Sequence, residues 1–296
     1  MKKKAIQALW VIGAAVLALA LVVRASPTWR TKAYFALERR WQPQGPSPRD
    51  KWFPLRLLLL YEPLAPVRVE VEPGVSMLLD PEDFVSRTIL ETGHWEARSW
   101  AYVERNLPVG GTLVDVGAHI GYYSLKGARA VGPKGHVIAI EPNPDTLRSL
   151  RDNIQSSGAN VITVEPVACS DSEAVVDLFA AARSNTGETS LSRENAQQAG
   201  AVGHVYRVRA RPLDAVVEEA GLSRIDVIKI DVEGAELLVL RGARQTLARY
   251  SPAVIVEVVE KQLQAMGASS AAVQQFLSSQ GYTPRGRVGD NVEFEK

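Results

Sequence analysis

Five acidic residues and two glycines set out the chemistry open to this chain. Asp115 lies in the apolar run Thr112-Leu113-Val114-Asp115-Val116, and Gly117 and Gly121 follow at fixed offsets before a helical pattern begins. Twenty residues past Gly121, Glu141 closes a second apolar run, Val137-Ile138-Ala139-Ile140. Glycines let backbone approach a ligand closely, and an acid ending the next strand accepts hydrogen bonds from ribose hydroxyls. Asp231 and Glu233 follow the run Val227-Ile228-Lys229-Ile230, and Glu257 ends another apolar run that begins at Ala253. Ligands of open α/β sheets sit beyond the carboxyl ends of the strands, so all five acids are expected on one rim. The chemistry implied is a nucleoside pocket beside carboxylates able to take up a proton.

The spacing discriminates between cofactors. A dinucleotide needs G-x-G-x-x-G, with the middle glycine against the pyrophosphate. Gly117 fits the first position, but the second falls on His119 and the third on Tyr122. S-adenosylmethionine carries no phosphate. Its site needs backbone room plus carboxylates for a cationic amino group and a ribose, which Asp115 and Glu141 would supply.

Positioning these groups requires strands that alternate with helices. Strands are expected at 113–116, 137–140, 161–164, 227–230 and 253–258, and helices near 122–131, 144–156, 235–248 and 271–279. Short apolar strands alternating with helices predict a parallel, doubly wound sheet. Residues 66–80 predict a hairpin around Pro73-Gly74, helices are expected at 84–91 and 96–106, and the chain ends in an antiparallel pair. The stretch Asp171 to Arg224 breaks the rhythm: it holds β-like runs at Ala174–Phe179 and Val205–Ala210 around a polar segment, Arg183 to Gly203, and reads as a long functional insertion. Glu96 is expected to cap its helix or to reach the cofactor's amino group, with capping favoured, and the head of Lys229 to reach solvent or Asp231.

A net charge of +1 gives no global case for a nucleic-acid partner, and the lone Cys169 excludes an intrachain disulfide and a Cys-based zinc site. Lys2, Lys3 and Lys4 precede 19 uncharged residues, Ala5 to Val23. As a helix these would span about 28 Å, close to a bilayer core. They predict a retained single-pass transmembrane helix over residues 1–24. Basic and aromatic residues over 25–65 read as a juxtamembrane linker on anionic lipid, and the charge balance favours a catalytic domain on the cytoplasmic side.

The residues Leu113–Leu125, Val137–Pro142, Val167–Asp171, Asn185–Leu191 and Ile225–Glu236 together resemble the FkbM family of S-adenosylmethionine-dependent methyltransferases. The run Lys229-Ile230-Asp231-Val232-Glu233-Gly234-Ala235-Glu236 is its most family-specific part. The resemblance implies a class I methyltransferase (Rossmann-like) α/β fold over residues 66–296: a seven-stranded, mostly parallel sheet with one antiparallel strand and helices on both faces. It also implies O-methylation of a hydroxyl on a glycan, glycolipid or small polyol. By position, Asp115, Gly117, His119 and Gly121 would form the methionine-side loop, Glu141 would hold the ribose, and Asp171 would lie near the adenine. Asp231 and Glu233 would face the methyl group and acceptor, with Asn185, Ser190 and Glu257 on the acceptor side. Two departures stand out: His119 replaces a common Asn, and Val258-Val259-Glu260-Lys261 offers no His after Glu257.

An alcohol needs its proton taken up during transfer. Asp231 is the expected base, its pKa raised by neighbouring acids, with His94, His119 and His204 as alternatives. The reaction is expected to need no metal, although the same carboxylates could instead hold Mg²⁺. Two other readings remain: a nicotinamide-dependent oxidoreductase, which the missing second glycine disfavours, and a non-catalytic membrane-tethered nucleoside-binding module.

Overall fold

The computed structural model describes residues 26–41, 64–181, 186–198 and 202–296. The described residues fall into two compact units, one with 26–41, 64–69 and 78–94, the other with 70–77 and 95–296.

In the first unit, helix α1 (Pro27–Trp41) buries Tyr34 and Phe35 and anchors through Arg39, whose Nε donates to the Leu90 carbonyl at 2.7 Å. Thr31 binds Ala65 through both its carbonyl (2.9 Å) and its amide (3.0 Å). Strands β1 (Val67–Glu72) and β2 (Val75–Leu79) form the expected hairpin, and α2 (Phe84–Thr92) is capped by the Asp83 side chain on the Ser86 amide.

The expected transmembrane helix, and with it the membrane localisation, single-pass topology and membrane partner, is corrected. Among the described residues no helix is long and apolar enough to cross a membrane. Residues 5–23 themselves lie outside the described residues. The helix α1 occupies the start of the stretch read as a lipid-facing linker, and two of its aromatic rings pack inward instead.

From residue 95 onward the second unit runs α3 (Ala97–Asn106), β3 (Thr112–Val116), α4 (Tyr122–Val131), β4 (His136–Ile140), α5 (Pro144–Ser157) and β5 (Ile162–Glu165). Next come β6 (Ala168–Ser170), β7 (Ala174–Ala181), α6 (Arg193–Gln198), β8 (Val202–Pro212), α7 (Leu213–Ala220) and β9 (Val227–Ile230). The chain finishes with α8 (Glu236–Arg241), α9 (Arg244–Tyr250), β10 (Ala253–Glu257), α10 (Glu260–Ala265), α11 (Ser270–Ser279), β11 (Thr283–Val288) and β12 (Asn291–Glu295).

Seven strands form one mixed sheet in the order β11-β12-β10-β9-β3-β4-β5. Strands β3, β4, β5, β9 and β10 are parallel, and β12 runs against both its neighbours. Every residue of β3 and β9 is buried, so the central strands are covered on both faces and read as continuous apolar runs. The chain proceeds outward from β3 in one direction and from β9 in the other. The crevice beyond their carboxyl ends is therefore the topological switch point where such sheets bind ligands.

The β-like runs expected within the insertion are β7 and β8, which with β6 build a second, three-stranded sheet, and α7 packs Leu213, Val216 and Val217 into the main core. The single helix expected over 235–248 is two, α8 and α9, parted at Gly242. A side chain there would place its Cβ 2.0 Å from the Ser170 carbonyl oxygen. Gly242→Ala is expected to cost about 1–3 kcal/mol in urea unfolding, because backbone rather than a flexible side chain must yield.

Candidate active site

Two charges interrupt the apolar central strands, and the register sets them side by side: Asp115 of β3 pairs with Lys229 of β9. Both are buried. The Lys229 Nζ bonds Asp231 Oδ2 at 2.9 Å, lies 4.0 Å from Asp115 Oδ1, and sits 4.9 Å from the centre of the Tyr123 ring. Of the two expectations for Lys229, the partner Asp231 is the one observed. Burial alone would pull Lys229 down, but the carboxylates of Asp231, Asp115 and Glu96 more than reverse this and raise its pKa. Asp115 takes the Ser124 hydroxyl at 2.6 Å, and burial raises its own pKa. It thus lies on the side of the sheet that α4 covers, between Ser124 and Lys229.

That loop is held by close backbone approach. Gly117 has φ +84°, and a Cβ there would lie 1.8 Å from the Asp231 carbonyl oxygen. His119 is also left-handed, at φ 51°, and its Nε2 lies 2.8 Å from Thr186 Oγ1. Gly121, at φ +95°, lets the chain turn into α4. His119→Asn is expected to keep or slightly raise the melting temperature, since Asn favours this conformation, while giving up the Thr186 contact.

Glu141 ends β4 and clamps the loop to the next helix. Its Oε2 accepts from the His119 amide and its Oε1 from the Asn143 amide, both at 2.9 Å. Burial pushes it up to about 7, against the two amides, which pull it down. Asn143 then caps α5 through the Asp145 amide at 3.0 Å, with Pro144 in the first turn.

Beyond β9 the chain turns at Glu233, left-handed at φ 57°, and Gly234. The Glu236 carboxylate staples this turn by accepting from the amides of Val232 (3.2 Å) and Gly234 (3.0 Å). The Glu233 carbonyl takes Ser190 Oγ at 2.7 Å and Asn195 Nδ2 at 2.9 Å, while its carboxylate takes Gln262 Nε2. Asp231, Glu233 and Glu257 each bring one carboxylate oxygen within 4.8 Å of the others. Burial, followed by the Asp231 charge, holds both Glu233 and Glu257 well above the ordinary carboxylate range.

The structure separates the expected site residues. Gly117, His119, Gly121 and Glu141 form one continuous loop and clamp, and Asp231, Glu233 and Glu257 form one cluster. Ser190 is buried, with its hydroxyl committed to Glu233 and to the Ser192 amide, so it braces the turn. Asp171 is exposed and follows β6 in the second sheet instead of the third strand of the main one. Asn185 lies outside the described residues. His204 is exposed on β8.

Sequence reasoning missed a bridge at the rim. Glu96 makes no side-chain cap to α3. Its carboxylate instead accepts from the Tyr123 hydroxyl and from Asn291 Nδ2, both at 2.9 Å. Asn291 pairs with Glu257 across β12 and β10. A buried Asn opening the apolar run Val292-Glu293-Phe294 was the available signal.

Fold and rim together define a class I methyltransferase-like α/β protein. The Methyltransferase FkbM domain family matches residues 115–284, more than half of the chain. The chain therefore belongs to the FkbM methyltransferase family. Hexuronic acid methyltransferase AglP of Haloferax volcanii is 30% identical over 146 residues, covering 49% of this chain and 55% of that protein. AMB antimetabolite synthetase AmbE of Pseudomonas aeruginosa is 28% identical over 206 residues, covering 60% of this chain and 10% of its own. The chain thus spans about half of the first relative and a tenth of the second. A solved FkbM methyltransferase from Methylobacillus flagellatus is 17% identical with a TM-score of 0.42, covering 90% of this chain and 59% of its own.

The residues present fit the cofactor. Each Glu141 oxygen accepts one amide and keeps a second lone pair, which suits a pair of ribose hydroxyls. The loop beside it is fixed by close packing, Gly117 against the Asp231 carbonyl and Gly121 against Leu150.

Proposed function

We propose that the protein O-methylates a hydroxyl of a sugar-like or polyol acceptor, with the loop 117–121 and Glu141 holding the cofactor and the Asp231 cluster facing the acceptor. The observation that carries this reading is the gathering of Asp231, Glu233 and Glu257 at the switch-point rim, next to the Gly117 loop. When bound, S-adenosylmethionine supplies a methyl group already activated on a sulfonium. The chain has to hold an oxygen in line with it and accept that oxygen's proton. Asp231 leaves the strand at the rim and is partly exposed, and Lys229 fixes its orientation from below. Glu233 and Glu257, whose carboxyls burial and the Asp231 charge hold well above their usual range, stand beside it to share the proton load. The similarity to a hexuronic acid methyltransferase supports a sugar acceptor.

The test is incubation of the full chain with labelled cofactor and a panel of sugars, uronic acids and polyols, followed by mass identification of the product. Label on an acceptor oxygen is expected. Label only on nitrogen or carbon acceptors contradicts the proposal.

Cofactor binding should depend on pH through Glu141. Ribose hydroxyls donate to a carboxylate, so the bound state favours the deprotonated form. With a free-state value of about 7, S-adenosylhomocysteine affinity should be flat above pH 7 and fall up to tenfold per unit below it. Glu141→Ala should bind far more weakly and lose that slope. An unchanged pH profile in titration calorimetry would remove Glu141 from the ribose.

A further inference from the structure

We propose that Asp231, Glu233 and Glu257 form a binding site for one hard divalent cation, Mg²⁺ or Mn²⁺, between the exits of β9 and β10. One oxygen from each of the three side chains lies within 4.8 Å of the others, near enough for small side-chain rotations to bring all three onto one ion. The donor chemistry is also right, since hard cations take carboxylate oxygens.

A second observation points into the same space. Glu257 Oε2 is shielded from solvent and accepts no hydrogen bond among the described residues. An acceptor buried in that way normally has a partner. The other two carboxylates are each tethered by one oxygen, Asp231 Oδ2 to Lys229 and Glu233 Oε2 to Gln262, which leaves the second oxygen of each for the ion.

The charge balance agrees. Glu96, Asp115, Asp231, Glu233, Glu236 and Glu257 gather at this rim, and the ammonium of Lys229 is already taken by Asp231 and stands beside Asp115. Three protein oxygens leave about three positions of an octahedral ion for water or for a hydroxyl of the acceptor. A dication beside a hydroxyl lowers the hydroxyl's pKa, which is what a weak oxygen nucleophile needs. This last step rests on the hydroxyl-acceptor reading above; the binding site itself does not.

The test is titration of the full chain with Mn²⁺, following the free-ion signal by electron paramagnetic resonance, with S-adenosylhomocysteine affinity measured in parallel. One saturable Mn²⁺ site is expected. Glu257→Gln should weaken it by about tenfold or more while S-adenosylhomocysteine affinity stays within about threefold. Glu233→Gln provides an independent variant with the same expected loss. No saturable site, or Mn²⁺ affinity unchanged in both variants, overturns the proposal. Mn²⁺ binding without methylation of any hydroxyl would sink the acceptor reading and leave the metal site standing. Methylation that persists at full rate after chelation, with no Mn²⁺ site, would do the reverse.

Discussion

A Gly117→Ala variant is expected to lose about 2–5 kcal/mol of stability and most of its cofactor affinity. Two penalties combine. The residue sits at φ +84°, where an L side chain costs about 1–2 kcal/mol. The new Cβ would also stand 1.8 Å from the Asp231 carbonyl oxygen, an atom fixed by the Asp231 amide's own bond to Val116 at 3.0 Å. Either β3 or β9 must shift, and a shift displaces the cofactor loop and the catalytic cluster together. A unit of this size should melt roughly 5–15 °C lower. S-adenosylhomocysteine binding should weaken by more than about tenfold, because the loop that presents His119 to Glu141 moves. Wild-type melting and wild-type affinity would show that this contact does not constrain the site.

Asp231→Asn is expected to separate binding from chemistry. Asn keeps the shape of the side chain but cannot take up a proton. Lys229 would lose the charge of its 2.9 Å partner, yet an amide oxygen can still accept from it, and the Asp115 carboxylate and the Tyr123 ring remain beside it. The fold should therefore survive with some loss of stability, and S-adenosylhomocysteine affinity should stay within about threefold. Turnover should fall by about 10²–10⁴-fold, the usual contribution of a positioned proton acceptor. Cofactor affinity serves as the control for folding. Full turnover in this variant would remove Asp231 from the mechanism and shift the proton load to Glu233 or Glu257.

Much of this architecture can be read along the chain, because its signals are local. The strands of the main sheet are short apolar runs, and the rim acids fall at their ends, as Asp231 and Glu257 do. What escaped is non-local. The partnership of Asp115 with Lys229 arises only because β3 and β9, far apart in sequence, lie adjacent in register. The reach of Glu96 to Asn291 spans 195 residues. The need for glycine at 242 comes from the Ser170 carbonyl, which belongs to another sheet. α7 was legible, since Leu213, Val216 and Val217 recur at helical spacing, but only the β-like runs of this stretch were singled out. Ser190 looked available because its type is polar; its hydroxyl is spent on Glu233. The apolar run from Ala5 to Val23 raised a membrane expectation on hydropathy alone, and no described helix supports it.

The most direct measurement is a crystal of the full chain soaked with S-adenosylhomocysteine. The account predicts ribose hydroxyls within hydrogen-bonding distance of Glu141, backbone of Gly117 against the ligand, and its sulfur directed toward Asp231. Density for the nucleoside elsewhere, or a crevice beside Gly117 left empty at saturating ligand, would contradict it.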